Sequence, residues 1–117
     1  MMTLDELTRA MHDFVGGKGW YAPGSPKPQT PKNIACSLAI EAAEILEHFQ
    51  WSDDLQDPEA LSGELADVAL YLLQLASVTG IDLEQAILDK LVLNASRTWS
   101  TPGSSSPAGA KDGPRPE

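Results

Sequence analysis

The feature that most constrains the fold is a long apolar segment, residues 58–79, that carries almost no charge. Between Leu61 and Thr79 the only charged residues are Glu64 and Asp67. A helix over this segment is apolar on nearly every face, so it must be covered on several sides. A chain of 117 residues has few elements with which to cover it. We therefore expect an all-α chain whose central helix is completed in a homo-oligomer.

Capping signals and apolar periodicity place three further helices around the central one. Helix starts are indicated by a Thr-x-x-Glu capping box at Thr3, by Thr30 before Pro31, and by Asp57 before Pro58. The predicted helices are 4–15, 31–51, 58–79 and 83–97, and no strand pattern competes with them. Residues 16–30 are rich in Gly and Pro and are predicted to form a loop. The predicted domain is 1–99, followed by a disordered Pro/Gly/Ser-rich tail at 100–117.

Two of these helices carry acidic pairs beside their apolar faces. Glu41 and Glu44 lie three residues apart on the second helix, and Glu64 and Asp67 do so on the third. This spacing puts the two side chains of each pair on one helix face. The connection between the helices is short enough for an antiparallel hairpin, which would bring the four carboxylates together. Such a cluster is costly unless a cation compensates it.

The chemical type of the metal ligands indicates which cation the site would bind. Four carboxylates are hard oxygen ligands, which favour Mg²⁺, with Mn²⁺ as an alternative. A di-iron bundle would need Glu-x-x-His motifs, and neither pair has one. The single cysteine, Cys36, excludes a cysteine-based zinc site and is expected in the core. His48 shares the carboxylate edge, where we favour a structural partner over a ligand.

Carboxylate-bound Mg²⁺ keeps positions open for water and for substrate phosphates. It can neutralise a polyphosphate and activate a bound water, while a carboxylate accepts the proton of that water. The site therefore indicates hydrolysis of a phosphoanhydride.

Charge and composition restrict the partners. The formal net charge is −9 and there is no basic run, which argues against binding nucleic acid polymers. The first residues are polar and lack the apolar core of a signal peptide. No apolar run was expected to reach the ~20 residues that span a membrane. We expect a cytoplasmic protein with no membrane partner.

The two acidic motifs and their surroundings resemble a known family. EAAE at 41–44, followed by ELAD at 64–67, is similar to the E-x-x-E…E-x-x-D signature of the MazG-like all-α nucleoside triphosphate pyrophosphohydrolases. The block PKNIACSLAIEAAEILEHFQW and the block beginning ELADVALYLLQL resemble the branch that contains the dCTP pyrophosphatases. The resemblance covers roughly residues 14–97. It implies a four-helix, up-and-down MazG-like arrangement that is completed by oligomerisation into a dimer or a dimer of dimers.

The resemblance also implies an activity and a set of site residues. The activity is Mg²⁺-dependent cleavage of a (d)NTP between the α and β phosphates to (d)NMP and pyrophosphate, which suits nucleotide-pool cleaning. The implied metal ligands are Glu41, Glu44, Glu64 and Asp67, and Glu41 or Glu44 would help to activate the water. The implied substrate-binding residues are Trp20, Lys32, Asn33, Trp51, Tyr71, Lys90 and Asn94.

Some alternatives remain open on the sequence. Trp20 fits a base-stacking residue or a cover for the core edge, and Lys90 fits a phosphate contact or an ordinary solvated lysine. Gln29 stands where this branch of the family usually has a histidine, which puts base preference in question. A different class of function also fits, namely a non-catalytic helical oligomerisation or nucleotide-sensing module that keeps the metal site.

Overall fold

The computed structural model describes residues 1–97, and these form four helices with no strand. The helices are α1 (Leu4–Gly17), α2 (Pro31–Glu47), α3 (Pro58–Val78) and α4 (Leu83–Ala95). The all-α expectation is thereby confirmed. The predicted tail and the domain boundary before it lie outside the described residues.

The predicted helix starts are confirmed by their hydrogen bonds. Thr3 and Glu6 form a reciprocal capping box, with Thr3 N–H donating to Glu6 Oε1 at 2.9 Å and Glu6 N–H donating to Thr3 Oγ1 at 3.1 Å. Thr30 Oγ1 accepts from the backbone N–H of Asn33 at 3.1 Å, and Asp57 Oδ1 accepts from that of Ala60 at 3.0 Å. Each cap satisfies a backbone donor that the helix itself leaves free.

The end of α1 differs from the prediction, because the helix runs through Gly16 and Gly17. The chain turns only at Gly19, whose φ of 77° is open to glycine and unfavourable for other residues. Gly19 N–H donates to Gly16 O at 3.0 Å, and Trp20 N–H donates to Val15 O at 3.3 Å. These two bonds are those of a Schellman motif. A Gly-Gly pair can stay helical, so backbone geometry rather than composition decides which glycine ends the helix.

The end of α2 is also earlier than predicted. The helix stops at Glu47, and the following residues form a tighter turn in which His48 N–H donates to Ile45 O at 3.2 Å and Phe49 N–H donates to Leu46 O at 3.0 Å. Hydrogen bonds from an N–H to the carbonyl oxygen three residues earlier, as in a 3₁₀ turn, are common where a helix terminates. The connection to α3 is therefore 48–57 rather than 52–57.

The chain divides into two units, Met1–Leu83 and Glu84–Glu117. In the first unit α3 is the central element, since both α1 and α2 pack against it. The buried apolar residues of the described chain all belong to this unit; they are Met11, Val15, Ile34, Leu73 and Ala76. Cys36 is exposed, contrary to expectation. Ile34 takes the buried face of α2, and a residue two positions along a helix points to the opposite side.

α3 is only partly covered by its neighbours. Leu65, Leu70 and Leu72 keep between 41% and 52% of their surface exposed. By length and composition alone the helix, which has 21 residues, could cross a membrane. The expectation that no segment reaches this length was therefore too strict. A core helix of a soluble protein has the same composition, and Glu64 and Asp67 interrupt the apolar surface of this one.

Candidate functional site

The packing of α2 against α3 brings the two acidic pairs into one neighbourhood. His48, the residue that caps α2, places Nε2 3.0 Å from Oε1 of Glu64 near the start of α3. Glu41 lies further back on α2 and is affected by the charge of Asp67, further along α3. Because the end of α2 contacts α3 near its start and the two helices pack against each other, they form the antiparallel hairpin that was predicted.

The surroundings of Glu41 show how crowded the carboxylates are. A hydrogen bond with the Glu44 side chain, desolvation, and the negative charges of Glu44, Asp67 and Glu64 all raise the pKa of Glu41. Each of these effects favours the protonated form of a carboxylic acid. A cation at this place would reverse the effect of the charges, because opposite charge favours the carboxylate.

The donor chemistry of the site fits Mg²⁺ or Mn²⁺, although the side chains of residues 1–97 form no preassembled group of three or more ligands. Glu41, Glu44, Glu64 and Asp67 would hold the ion through their oxygens. His48 holds Glu64 from outside this set, which agrees with the structural role favoured for it. A partner of this kind fixes the orientation of a ligating carboxylate. The ligand set itself stays a prediction.

A cavity of about 600 Å³ adjoins the carboxylates. Its lining includes four residues that the resemblance implied for the site, namely Trp20, Asn33, Asp67 and Tyr71. Cavities of this size commonly hold small organic ligands, and this one is lined mostly by apolar groups with a few polar ones. Asp67 belongs both to the acidic neighbourhood and to the cavity wall, so the two features are continuous.

The loop between α1 and α2 forms one wall of the cavity. The Trp20 ring packs edge-on against Phe14 with centroids 5.9 Å apart, and Lys27 Nζ lies 4.7 Å from the centroid of the Trp20 ring. Asn33 Nδ2 donates to Pro28 O at 2.9 Å and so ties the loop to the start of α2. Trp20 thus packs on Phe14 and lines the cavity, and neither interpretation of this residue is decided.

A buried amide, Gln74, was missed by the sequence analysis. Gln74 is only 2% exposed and lines the cavity. Its Nε2 donates to Gln29 Oε1 at 2.8 Å and to the Tyr21 hydroxyl at 3.2 Å. Tyr21 in turn contacts His12 Nδ1 at 2.6 Å. The available signal was an uncharged polar residue in the middle of a run of leucines, which is unusual because burying an amide requires partners.

Several predicted substrate-binding residues are not part of the cavity wall. Lys32 is exposed and does not line the cavity. Trp51 is 90% exposed and lies in the connection between α2 and α3. Lys90 and Asn94 lie on α4, in the second unit. The roles of these four residues stay predictions.

Comparison with known proteins identifies relatives of this chain. The model of the MazG-like family matches residues 36–105. The chain is 31% identical to dCTP pyrophosphatase 1 of Mus musculus over 104 residues, which is 81% of this chain and 58% of that protein. The Homo sapiens protein of the same name gives 31% identity with the same coverage. The chain thus spans somewhat more than half the length of these relatives.

A phage protein is similar over a shorter region. The dATP/dGTP diphosphohydrolase of Cyanophage S-2L is 33% identical over 81 residues, covering 69% of each chain. All three relatives are named as enzymes that act on deoxynucleoside triphosphates. The family match spans more than half of the sequence and includes both acidic motifs. This chain belongs to the MazG-like family.

Proposed function

We propose that this protein is a Mg²⁺-dependent nucleoside triphosphate pyrophosphohydrolase. It would cleave a (d)NTP between the α and β phosphates and release (d)NMP and pyrophosphate. The names of the relatives, dCTP pyrophosphatase and dATP/dGTP diphosphohydrolase, support this class of reaction. Removal of unwanted nucleotides from the cytoplasmic pool is the role that fits such an activity.

The observation that carries the proposal is the position of Asp67. Its charge acts on Glu41 within the acidic neighbourhood, and it also lines the cavity that Trp20 and Tyr71 enclose. A nucleoside triphosphate also has two such parts, since its phosphates form a polyanion at one end and its base is a flat ring at the other. The cavity suits the ring, because aromatic side chains pack favourably on it. The acidic end suits phosphates only when a divalent cation lies between them, and bound Mg²⁺ would supply that charge and polarise the attacking water.

The remaining chemistry falls to the protein. The oxygen of a water forms a bond to phosphorus, the bridging oxygen between the α and β phosphates leaves with pyrophosphate, and a proton passes to a carboxylate. We assign the proton acceptor to an oxygen of Glu41 or Glu44. An ionised carboxylate within the acidic neighbourhood can accept this proton.

We further propose that the working protein is a homo-oligomer, a dimer or a dimer of dimers. In residues 1–97 only five apolar side chains are buried, whereas nineteen large apolar residues are exposed. Exposed apolar surface on this scale is typical of a protein–protein interface. Nucleic acid polymers and membranes are not proposed as partners.

Product analysis of the full chain tests the proposal. The protein is incubated with each (d)NTP and Mg²⁺ in ¹⁸O-labelled water, and the products are separated and weighed by mass spectrometry. We expect monophosphate and pyrophosphate in equal amounts, with the ¹⁸O label in the monophosphate, because the water attacks the α phosphorus. Release of inorganic phosphate and a diphosphate would show cleavage at the wrong bond.

The same experiment distinguishes the alternative function. A non-catalytic sensing or oligomerisation module would bind nucleotide in the presence of Mg²⁺ without forming either product. Calorimetric titration with the same nucleotides measures that binding independently of turnover. Binding with no turnover of any nucleotide would replace the enzyme by the sensing module.

A further inference from the structure

Gln74 is the most deeply buried polar residue of the described chain, and it lies at the wall of the cavity. Only 2% of it is exposed, and it is the one buried polar residue among 1–97. The residues on either side of it along α3 are apolar. Because an amide in such surroundings costs free energy unless its groups are hydrogen-bonded, the partners of each atom decide what the residue can do.

The orientation of this amide is set by a chain of hydrogen bonds that starts at the backbone. Gln29 Nε2 lies 2.7 Å from Lys27 O, and a carbonyl oxygen can only accept. The Gln29 amide is therefore oriented with Oε1 away from that carbonyl and toward α3. Gln29 Oε1 also can only accept, so the Gln74 atom 2.8 Å from it must be the donor Nε2.

Both protons of Gln74 Nε2 are then in use. One goes to Gln29 Oε1 and the other to the Tyr21 hydroxyl at 3.2 Å. No group within residues 1–97 donates to the remaining polar atom, Gln74 Oε1. Gln74, which lines the cavity, thus keeps a carbonyl oxygen that accepts and does not donate.

We propose that Gln74 is a specificity-determining residue, whose Oε1 accepts a hydrogen bond from an exocyclic amino group of the bound base. The inference rests on the proposed function, because it assumes that a nucleotide base occupies the cavity. It assigns a preference for cytosine over uracil, and for adenine over hypoxanthine. In each pair the two bases have nearly the same shape and differ by an amino group in place of an oxo group.

The preference follows from which group of the base lies against Gln74 Oε1. An amino group donates to Oε1 and satisfies it, as amide side chains do with the amino edge of adenine. An oxo group at the same place puts two acceptors against each other. Gln74 cannot rotate its amide to present a donor without breaking its bonds to Gln29 and Tyr21. A site built for one hydrogen-bonding pattern rejects the opposite pattern strongly, so we expect a difference of about tenfold or more.

The first test uses the unmodified full chain and two matched substrate pairs, dCTP with dUTP and dATP with dITP. The ratio of kcat/KM within each pair is measured, together with calorimetric binding of the α,β-imido analogues, which are not hydrolysed. We expect the amino member to exceed the oxo member by about tenfold or more in the pair that the protein handles better. Equal values within both pairs would overturn the inference.

The second test replaces the amide while keeping its size. Gln74→Met removes Oε1, and we expect the amino-to-oxo ratio to fall to about one while circular dichroism retains the helical signal. Gln56→Met is the matched control, since Gln56 is exposed and does not line the cavity, and its ratio should equal that of the unmodified chain. An unchanged ratio in Gln74→Met would show that another group reads the base.

The two proposals fail in different ways. Absence of turnover of every nucleotide would remove the proposed function, and the binding ratio of the imido analogues would still decide the role of Gln74. Turnover without discrimination within the pairs would leave the enzyme in place and remove Gln74 as the reader of the base.

Discussion

The four carboxylates of the α2–α3 pair are alike in chemistry, but their surroundings differ. A hydrogen bond with the Glu44 side chain, desolvation and the charges of Glu44, Asp67 and Glu64 raise the pKa of Glu41. Glu64 is held by His48, and Asp67 faces the cavity. A residue that lies among like charges gains most from a bound cation, whereas one that faces the cavity can act on both the ion and the substrate.

Glu41→Gln should therefore lower turnover by at least about 100-fold, which exceeds the usual effect of losing a residue that only supports a metal ligand. The amide keeps the size of the side chain but cannot accept the proton of the water and is a poor ligand for Mg²⁺. Glu47→Gln on the same helix is the control, since Glu47 is exposed. Steady-state kinetics measure both variants, and turnover close to that of the unmodified chain in Glu41→Gln would refute the assignment.

His48 offers a separate test of how Glu64 is positioned. His48→Ala removes the 3.0 Å contact to Glu64, and we expect the Mg²⁺ concentration for half-maximal turnover to rise about 10-fold. His48→Gln can still donate to the carboxylate and should recover much of the loss. The measurement is a Mg²⁺ titration of turnover for the three proteins. Equal titration curves would mean that the contact does not support metal binding.

The turns that end the helices matter as much for the site as the apolar faces of the helices do. α1 ends at Gly17, with Lys18 as its C-cap, because Gly19 adopts a φ of 77°, and this turn starts the loop that carries Trp20 to the cavity. A helix that ended two residues earlier, as predicted, would begin the loop from a different place. The position of the Trp20 ring therefore depends on one backbone conformation.

Substitution of two nearby glycines should show this dependence. Gly19→Ala forces a side chain into the left-handed region, and we expect a loss of about 1 kcal/mol or more in the free energy of unfolding. Gly17→Ala lies in helical backbone with nothing within 4 Å of the added Cβ, so it should be neutral or stabilising by up to about 1 kcal/mol. Urea denaturation followed by circular dichroism measures both. Equal effects of the two changes would contradict the assigned end of α1.

Within residues 1–97 the buried core is small for the amount of apolar surface that these residues carry. α3 packs against α1 and α2, yet Leu65 remains 52% exposed on it. A second copy of the chain could cover such surface, which the small number of elements in one copy cannot do.

Sedimentation and light scattering should therefore give a mass of two or four times the 12.5 kDa of one chain. Leu65→Glu places a charge on the exposed face of α3, and we expect it to shift the mass toward that of one chain. The matched control is Leu55→Glu, in the connection before α3, which should keep the mass of the unmodified chain. A mass of one chain at high protein concentration would contradict the proposal.

The sequence by itself determined the features that depend on short-range chemistry. The helix starts at Thr3, Thr30 and Asp57 followed from side chains that accept a hydrogen bond from the backbone N–H three residues later. The all-α class followed from apolar residues that recur every three to four positions. The acidic pairs were recognisable because charged residues beside an apolar stripe conflict with burial. The family could be identified because the two motifs and the sequence around them resemble the family's signature.

The tertiary structure decided what depends on contacts between distant residues. α2 ends at Glu47 because the backbone tightens there, and no residue type in the sequence indicates this end. Cys36 is exposed because Ile34 takes the buried face of the helix. The role proposed for Gln74 depends on Gln29 and Tyr21, 45 and 53 residues away in the chain, which use its two protons. A hydrogen-bonding pattern of that kind is fixed by geometry across the fold, so it leaves no mark in the spacing of residues along one helix.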